Sequence, residues 1–214
     1  EAHEPAPFAA TDPYDLRVSA ISRASQRALV NAGAWQGVVA RRACAYEAMQ
    51  VWDATGSGQI RFDAADLGEA DLGHIVENRV IQLALLDAIQ ALDNVDLYCP
   101  DKLAAFEVGA DSVQVQLHSG TTLQAQLLVG ADGAQSKVRQ LAGISLATND
   151  YGQKGLVCVV QTELSHQDTA WQRFMPSGPL AFLPLSDGSS SIVWTLPADR
   201  ADAMLLLSDA DFCR

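Results

Sequence analysis

The chain lacks the patterns that mark metal centres and disulfide frameworks. Its four cysteines are widely scattered and form no Cys-x-x-Cys pair, at Cys44, Cys99, Cys158 and Cys213. Its four histidines are equally dispersed, at His3, His74, His118 and His166. Because zinc-type sites need closely spaced His and Cys ligands, we predict no metal. The thiols are expected to be reduced and structural, as in a cytoplasmic protein.

Basic residues and long apolar runs are also scarce. The 14 Lys and Arg residues are outnumbered by 26 Asp and Glu, which gives a formal net charge of −12. Binding to nucleic acid requires clustered Lys and Arg, so we predict no nucleic-acid partner. No apolar run approaches the roughly 20 residues that span a bilayer, and the first residues lack the basic and apolar regions of a signal peptide. We expect a soluble chain.

The composition is that of a folded protein, with 49% hydrophobic and 19% charged residues among 214. This length allows one large or two small domains. A proline-rich start predicts an extended loop over residues 1–16. Apolar spacing predicts a helix from Ser19 or Ser22 to Asn31, a longer helix from Val76 to Leu92, and helical structure from Asp199 to Arg214.

Alternating apolar and polar residues predict antiparallel strands between and after these helices. The predicted strands are Glu47–Asp53, Gln59–Asp63, Val95–Tyr98, Lys102–Val108, Ser112–His118, Thr122–Val129, Gly155–Thr162, Trp171–Met175, Leu180–Leu185 and Ser190–Leu196. The first two flank a Gly-Ser-Gly turn and therefore predict a hairpin. We predict an α/β (α+β) fold whose last third is rich in sheet.

The segment from Gln126 to Gly143 is the most informative part of the sequence. Its apolar run predicts a strand, Gly130–Gly133 a tight turn, and the following residues a helix that Gly143 closes. Asp132 lies at the crossing. An Asp-Gly pair before a helix is ordinary turn and cap chemistry, but unpaired N–H groups at a helix start also attract phosphorylated ligands. Both interpretations are open from these residues alone.

The joint spacing Asp132-Gly133-x-x-Ser136-x-x-Arg139 resembles the Asp-Gly motif of the single-component flavin hydroxylases. Further segments resemble one branch, the flavin hydroxylases of ubiquinone biosynthesis. These segments are Leu16–Ser22, Val51–Asp53, Gly73–Val80, Gly130–Arg139 and Ala181–Leu185. They occur in the family's order over nearly the whole chain.

The resemblance implies an FAD-dependent monooxygenase. In this family NADPH reduces the flavin, O₂ forms a C4a-hydroperoxide, and a polyprenylated phenol or benzoquinol ring is hydroxylated. The cofactor carries the difficult chemistry, so no catalytic amino acid is predicted. The prenylated substrate implies access to lipid or to a biosynthetic complex, and hence a cytoplasmic protein that associates peripherally with the inner membrane.

The resemblance also assigns residues to the cofactor. Asp132 and Gly133 would lie near the ribityl and pyrophosphate part of FAD, with Asp132 also relevant to NADPH, while Ser136 and Arg139 support the turn. Arg17 would reach the pyrophosphate, although a lone Arg before a helix is commonly a solvated residue.

Two further positions match cofactor residues of the family. Asn78 would contact the flavin, and the role of helix N-cap is equally compatible with it. Glu1 would match the acidic residue that binds the adenosine ribose. Arg79, beside Asn78, is predicted to be solvated.

Aromatic residues in the predicted strands have two interpretations, substrate pocket or ordinary core. Phe182 and Pro184 are the predicted pocket wall. His74 is predicted to be structural because no carboxylate is paired with it in sequence. No Ser-His-Asp or Cys-His set is recognisable, which disfavours a hydrolase.

The family pattern divides the chain between two domains. Residues 1–45 and 76–145 would form part of a Rossmann-like FAD-binding domain, and residues 46–75 and 146–214 part of a sheet-rich substrate domain. The family's Gly-x-Gly-x-x-Gly turn and later Gly-Asp motif are not in the sequence. We therefore expect an internal fragment that holds little or no FAD, and that self-associates through exposed edges and apolar faces. A binding or structural unit, or another flavin-dependent aromatic hydroxylase, are the alternatives.

Overall fold

The computed structural model describes residues 3–213, which fall into two compact units. Of the described residues, the smaller unit comprises 3–5 and Asn94–Asn149, and the larger comprises Ala6–Asp93 and 150–213. Within the described residues, no helix is long and apolar enough to cross a membrane.

The part of the chain that the structure describes contains both strands and helices. The strands are β1 (Val18–Ser22), β2 (Cys44–Tyr46), β3 (Ala48–Asp53), β4 (Gln59–Asp63), β5 (Gly73–Glu77), β6 (Leu103–Val108), β7 (Val113–Leu117), β8 (Thr122–Ala125), β9 (Gln153–Val160), β10 (Thr169–Met175), β11 (Gly178–Pro184) and β12 (Ser190–Pro197). The helices are α1 (Arg23–Asn31), α2 (Trp35–Arg41), α3 (Asn78–Gln90), α4 (Lys137–Leu141), α5 (Ala198–Met204) and α6 (Asp209–Phe212), with a 3-10 turn at Ala64–Leu67.

The first sheet of the larger unit has the order β1-β5-β2, and both pairings are antiparallel. Helix α1 follows β1 directly, and its N-cap Ser22 accepts the N–H of Ser25. Helices α2 and α3 pack together in a core whose buried members are Ala34, Trp35, Val38, Val76, Val80 and Ala84. This core holds the start of α3 in place.

The second sheet of the larger unit has six strands in the order β4-β3-β10-β11-β12-β9. The β10–β3 pair is parallel and the other pairs are antiparallel. A second apolar cluster joins residues of this sheet to residues of the first, with Tyr46, Ile75, Ala170 and Leu185 at its centre. The larger unit is therefore built from two sheets that share a core.

The smaller unit is a meander, β6-β7-β8, with the short helix α4 after it. The strands alternate buried and exposed residues, with Val113 and Val115 inward. Gly143 ends α4 with a φ of 69°. Its N–H bonds the carbonyl of Gln140, and the N–H of Ile144 bonds that of Arg139. This is the glycine C-cap predicted from the sequence.

Most predicted elements are confirmed, including the hairpin of β3 with β4 and the strands of the last third. Several predictions are wrong. Residues 95–98 form no strand. The long helix begins at Asn78, because Val76 lies in β5, the central strand of its sheet. The last segment contains two short helices rather than one.

The apolar run before the Asp-Gly turn also differs from its prediction. Strand β8 stops at Ala125, and Leu127 and Val129 are 75% and 70% exposed. A strand requires a hydrogen-bonded neighbour, and no described strand pairs with this run. Apolar sequence alone does not show whether the described part of the chain supplies such a neighbour.

Candidate cofactor site

The carboxylate of Asp132 caps helix α4. One oxygen accepts the hydroxyl of Ser136, and the other accepts the N–H groups of Lys137 at 2.6 Å and Val138 at 3.1 Å. These hydrogen bonds, led by that from Ser136, hold the pKa of Asp132 below its ordinary value. Asp132 is thus ionised near neutral pH, and both of its carboxylate oxygens accept hydrogen bonds from residues 136–138.

The two glycines of the turn are required by its geometry. Gly133 has a φ of 80°, a left-handed conformation that glycine adopts at little cost, and a Cβ there would meet nothing within 4 Å. A Cβ on Gly130 would lie 2.9 Å from Cβ of Val138. The turn therefore runs close to α4 at Gly130 and leaves open space beside Gly133.

Ser136 and Arg139 brace this turn. The Oγ of Ser136 accepts the N–H of Arg139 at 3.0 Å. The guanidinium of Arg139 reaches back to the carbonyl of Ala134 at 2.9 Å. Both residues therefore contact the turn itself.

An open cavity of about 870 Å³ adjoins Asp132 within the smaller unit. Its wall includes Lys102, His118 and Lys137, with Asp101 and Asp132 as the acidic members. The carboxylate of Asp101 is held at an ordinary turn by Ser119 and Lys102, which lowers its pKa. Sequence reasoning missed Lys102 and His118, because neither stands in a motif.

A second set of candidate residues meets at the start of α3 in the larger unit. The N–H of Asn78 donates to the carbonyl of Arg17 at 3.0 Å, and the Oγ of Ser19 donates to Oδ1 of Asn78 at 2.6 Å. Arg17 is exposed, and within residues 3–213 its guanidinium has no partner. The helix has no side-chain cap and no acidic residue in its first turn. This corner therefore offers hydrogen-bond donors to a ligand.

A buried ion pair anchors this corner. Glu77 is 1% exposed, and its two oxygens bond Nε and Nη2 of Arg42 at 2.7 and 2.9 Å. The same carboxylate accepts the N–H of Asp15 at 2.8 Å. Since Glu77 precedes Asn78 and Asp15 lies two residues before Arg17, the pair fixes both sides of the corner.

Arg42 and Arg79 also fasten a strap, residues 7–15, to the larger unit. The guanidinium of Arg42 lies 3.9 Å from the ring centroid of Tyr14, and Arg79 forms ion pairs with Asp12 and Asp15 at 3.3 and 3.2 Å. Arg79 is only 16% exposed, so its prediction as a solvated residue is wrong. Arg79 can be buried because Asp12 and Asp15 of the strap, which are distant in sequence, neutralise its charge.

The predicted pocket residues lie on β11. Phe182 is half-buried, with Trp171 and Ile192 opposite it on the neighbouring strands. Pro184 is fully buried at the end of the strand. Trp171 also makes an edge contact with Trp52, at 6.2 Å between ring centroids.

His74 lies on β5 against the indole of Trp35, with ring centroids 5.0 Å apart. Its Nδ1 is buried without a hydrogen bond, and Asp71 is 3.8 Å away. Burial lowers the pKa of His74 despite this carboxylate. No described group of three or more His, Cys, Asp or Glu residues could hold a metal ion.

Each unit thus gathers part of the predicted cofactor set. Asp132, Gly133, Ser136 and Arg139 share one turn, and Arg17 and Asn78 share one strand-helix corner. Glu1 lies outside the described residues. Sequence reasoning missed Ser19, because only the pairing of β1 with β5 brings it to Asn78. It also missed Arg42 and Glu77, because their ion pair joins residues that are 35 positions apart.

Relatives of known family match most of the chain. The FAD binding domain family model matches residues 11–204. The 3-demethoxyubiquinol 3-hydroxylase of Escherichia coli (strain K12) is 42% identical over 191 residues, which are 89% of this chain and 49% of the relative. The mitochondrial ubiquinone biosynthesis monooxygenase COQ6 of Mus musculus is 39% identical over 212 residues, 94% of this chain and 44% of the relative. The chain spans about half the length of these curated relatives.

Solved structures share the fold. The crystal structure of Pseudomonas aeruginosa PqsL in complex with 2-aminobenzoylacetate matches with a TM-score of 0.76 and 19% identity, over 92% of this chain and 54% of that chain. At this identity the likeness shows the fold alone. The predicted mixed α/β class and the resemblance to ubiquinone-biosynthesis hydroxylases are both confirmed. The chain therefore belongs to the FAD-binding domain family.

Proposed function

We propose that this chain is part of an FAD-dependent monooxygenase that hydroxylates a polyprenylated phenol or benzoquinol in ubiquinone biosynthesis. The names of its relatives support this reaction class. Within the family we propose 2-octaprenyl-3-methyl-6-methoxy-1,4-benzoquinol hydroxylase, with 2-octaprenylphenol hydroxylase next, because residues 4–8, 138–144, 171–174 and 178–179 resemble it. The substrate proposal is accordingly a prenylated ring with oxygen substituents.

The observation that carries the proposal is the donor-rich corner at the start of α3. This corner combines the exposed guanidinium of Arg17, the carboxamide of Asn78 and the first-turn N–H groups of α3, and that turn has no acidic residue of its own. The carboxylates beside it are already paired, Glu77 with Arg42 and both Asp12 and Asp15 with Arg79. A pyrophosphate fits such a set, because a helix start and an arginine both favour anions.

The Asp132 turn is proposed to supply a second contact to FAD, near its ribityl chain. The open space at Gly133 would let a ligand approach the backbone. Ser136 and Arg139 would hold the turn, as their contacts with it suggest. Glu1 would serve the adenosine ribose.

When bound, FAD would supply the redox chemistry, with NADPH as reductant and O₂ as the oxygen source. The chain's own residues would bind and orient the cofactor and the substrate, and they would keep water away from them. Phe182 and Pro184 are proposed for the substrate side. All six strands of the six-stranded sheet lie within residues 46–75 and 146–214, which supports their assignment to the substrate domain. Residues 1–45 and 76–145 are assigned to the FAD domain.

The proposed place of action is the cytoplasm, at the periphery of the inner membrane, where a prenylated ring is accessible. Association with a biosynthetic complex would serve the same purpose. Flotation of the natural protein with liposomes tests this, and absence from the liposome fraction would argue against it.

The test of the function uses the full-length natural protein. We expect bound flavin in its absorbance spectrum and a hydroxylated product from a prenylated quinol with NADPH and O₂. Arg17→Ala should weaken FAD binding about 10- to 100-fold, the usual range for a charge-assisted hydrogen bond. Arg27→Ala, an exposed arginine on α1, is the matched control. Turnover of a non-quinone aromatic alone would favour another flavin-dependent aromatic hydroxylase.

One observation favours a second candidate, a binding or structural unit without FAD. Both oxygens of the Asp132 carboxylate are hydrogen-bonded within the turn and the start of α4. The Asp-Gly sequence therefore has a complete structural explanation without a ligand. The purified 214-residue chain should then lack flavin absorbance. Stoichiometric flavin in that chain would contradict this candidate.

A further inference from the structure

Ser19 and Asn78 form a hydrogen bond that joins two elements far apart in sequence. Ser19 lies on β1 opposite Val76 of β5, and Asn78 is the first residue of α3. The Oγ of Ser19 donates to Oδ1 of Asn78 at 2.6 Å, and both side chains are half-buried. The backbone N–H of Asn78 is also bound, to the carbonyl of Arg17. Asn78 is thus held at its backbone and at its side chain.

This bond decides which end of the carboxamide is available. An Asn side chain has one acceptor oxygen and an NH₂ group with two donors. Ser19 engages the oxygen, and no residue between 3 and 213 accepts a hydrogen bond from Nδ2 of Asn78. Asn78 therefore offers donors rather than its acceptor.

Arg17 and the first turn of α3, which flank Asn78, bring further donors to this corner. The carboxylates of Asp12 and Asp15 are paired with Arg79. The guanidinium of Arg17 carries only donors, and the first turn of α3 contributes N–H groups without a side-chain cap. The carboxylate of Glu77 is turned to Arg42 and to the N–H of Asp15. If the carboxamide were turned the other way, Oδ1 of Asn78 would be an acceptor among these donors. It would then repel a ligand that carries mainly acceptor oxygens.

We propose that Ser19 is a positioning residue that orients the carboxamide of Asn78, so that its NH₂ group donates to an acceptor oxygen of FAD. The inference rests on the proposed function and adds Ser19 to it. The acceptor is a phosphate oxygen or a carbonyl oxygen of the flavin ring. Ser19 itself acts only through Asn78.

The experiment measures FAD affinity of the full-length natural protein, stripped of cofactor, and its thermal unfolding without ligand. Ser19→Ala releases the carboxamide and should weaken FAD binding about 3- to 10-fold, the value of one neutral hydrogen bond. Ser19→Thr keeps the hydroxyl and suits a strand, so it should stay within about twofold of the natural protein. Rescue by Thr separates the hydroxyl's role from loss of packing.

Asn78→Asp distinguishes a ligand contact from a helix-start role. An Asp can still accept from Ser19, but it presents a negative oxygen where the donors were, so FAD affinity should fall more than about tenfold. Because acidic residues stabilise the first turn of a helix, ligand-free thermal stability should stay unchanged or rise. A purely structural Asn78 would give the same stability result with unchanged affinity.

Riboflavin and pyrophosphate serve as probes for the source of the acceptor oxygen. Weaker riboflavin binding by Ser19→Ala would place it on the ring, and weaker pyrophosphate binding would place it on the phosphates. Equal FAD affinity of the natural protein and Ser19→Ala would overturn this inference, whatever Asn78→Asp does, while the proposed function stands. A natural protein that takes up no FAD would overturn both.

Discussion

Burial sets the proton equilibria of individual residues in the larger unit. Cys44 on β2 is buried, and desolvation raises the pKa of its thiol to about 11. His74 on the neighbouring strand has a lowered pKa for the same reason. Removing water disfavours the charged form of each group, so the two shifts have opposite directions.

The thiols should therefore differ in reactivity. With a pKa of about 11, only about one Cys44 in a thousand is thiolate at pH 8, whereas Cys213 is exposed. Titration of the native chain with a disulfide reagent should show one thiol that reacts fast, and this fast phase should be absent from Cys213→Ser. Cys44 should react only after unfolding. A fast phase abolished by Cys44→Ser would contradict this.

His74 should make folding sensitive to mild acid. Its folded pKa lies below the unfolded value of about 6.5. The unfolded chain therefore takes up a proton that the folded chain resists, and stability falls as pH drops through about 6.5. Asp71 and Arg23, the charged groups facing this ring, act in opposite directions. Denaturant unfolding at several pH values should show a shallower dependence for His74→Gln, and no change for the exposed control His118→Gln.

At the scale of the element, α4 depends on the residues before it more than on its own sequence. A five-residue helix is too short to persist alone in water. Asp132 and Ser136 satisfy its first N–H groups, and the N–H groups of Gly143 and Ile144 satisfy the carbonyls of Gln140 and Arg139. Its existence thus follows from its caps.

Removing the cap should therefore open α4. In Asp132→Ala the amide protons of Lys137 and Val138 should exchange with solvent about tenfold faster or more, as their acceptor is lost. Asp132→Asn should be intermediate, because one acceptor oxygen remains. In the natural chain the cap should persist as pH falls and disappear only below the usual Asp range, since its folded pKa is depressed. Exchange rates unaffected by Asp132→Ala would show that the cap is dispensable.

At the scale of the whole molecule, exposed apolar residues oppose the effect of net charge. Leu127, Val129, Ile144 and Leu146 are each more than half exposed in the smaller unit. Such residues favour association, whereas a net charge of −12 favours dispersal. Salt screens the charge without removing the apolar surface.

The 214-residue chain should accordingly self-associate, more strongly as ionic strength rises. Sedimentation velocity should show a larger species with increasing concentration, and Leu127→Gln with Val129→Gln should reduce it. Thr122→Gln, a change at an exposed polar residue on β8, is the control and should leave association unchanged. A monomer at all concentrations and salt levels would refute this prediction.

The sequence by itself determined the local structure of this protein. Alternation of apolar residues identifies the strands of the last third, and the glycine after α4 identifies its end, because these signals act within a few residues. The Asp132–Arg139 spacing and the order of the matching segments were enough to indicate the family. Periodicity could not distinguish β5 from the start of α3, since Val76 fits either pattern.

Only the tertiary structure decided which distant residues meet. Ser19 reaches Asn78, and Arg42 reaches Glu77, because strand pairing aligns backbones that are dozens of residues apart. The burial of Arg79 arises from acidic residues of the strap, and the exposure of Leu127 from the lack of a described partner strand. Hydrogen bonds and desolvation depend on spatial neighbours, which no local pattern of residues specifies.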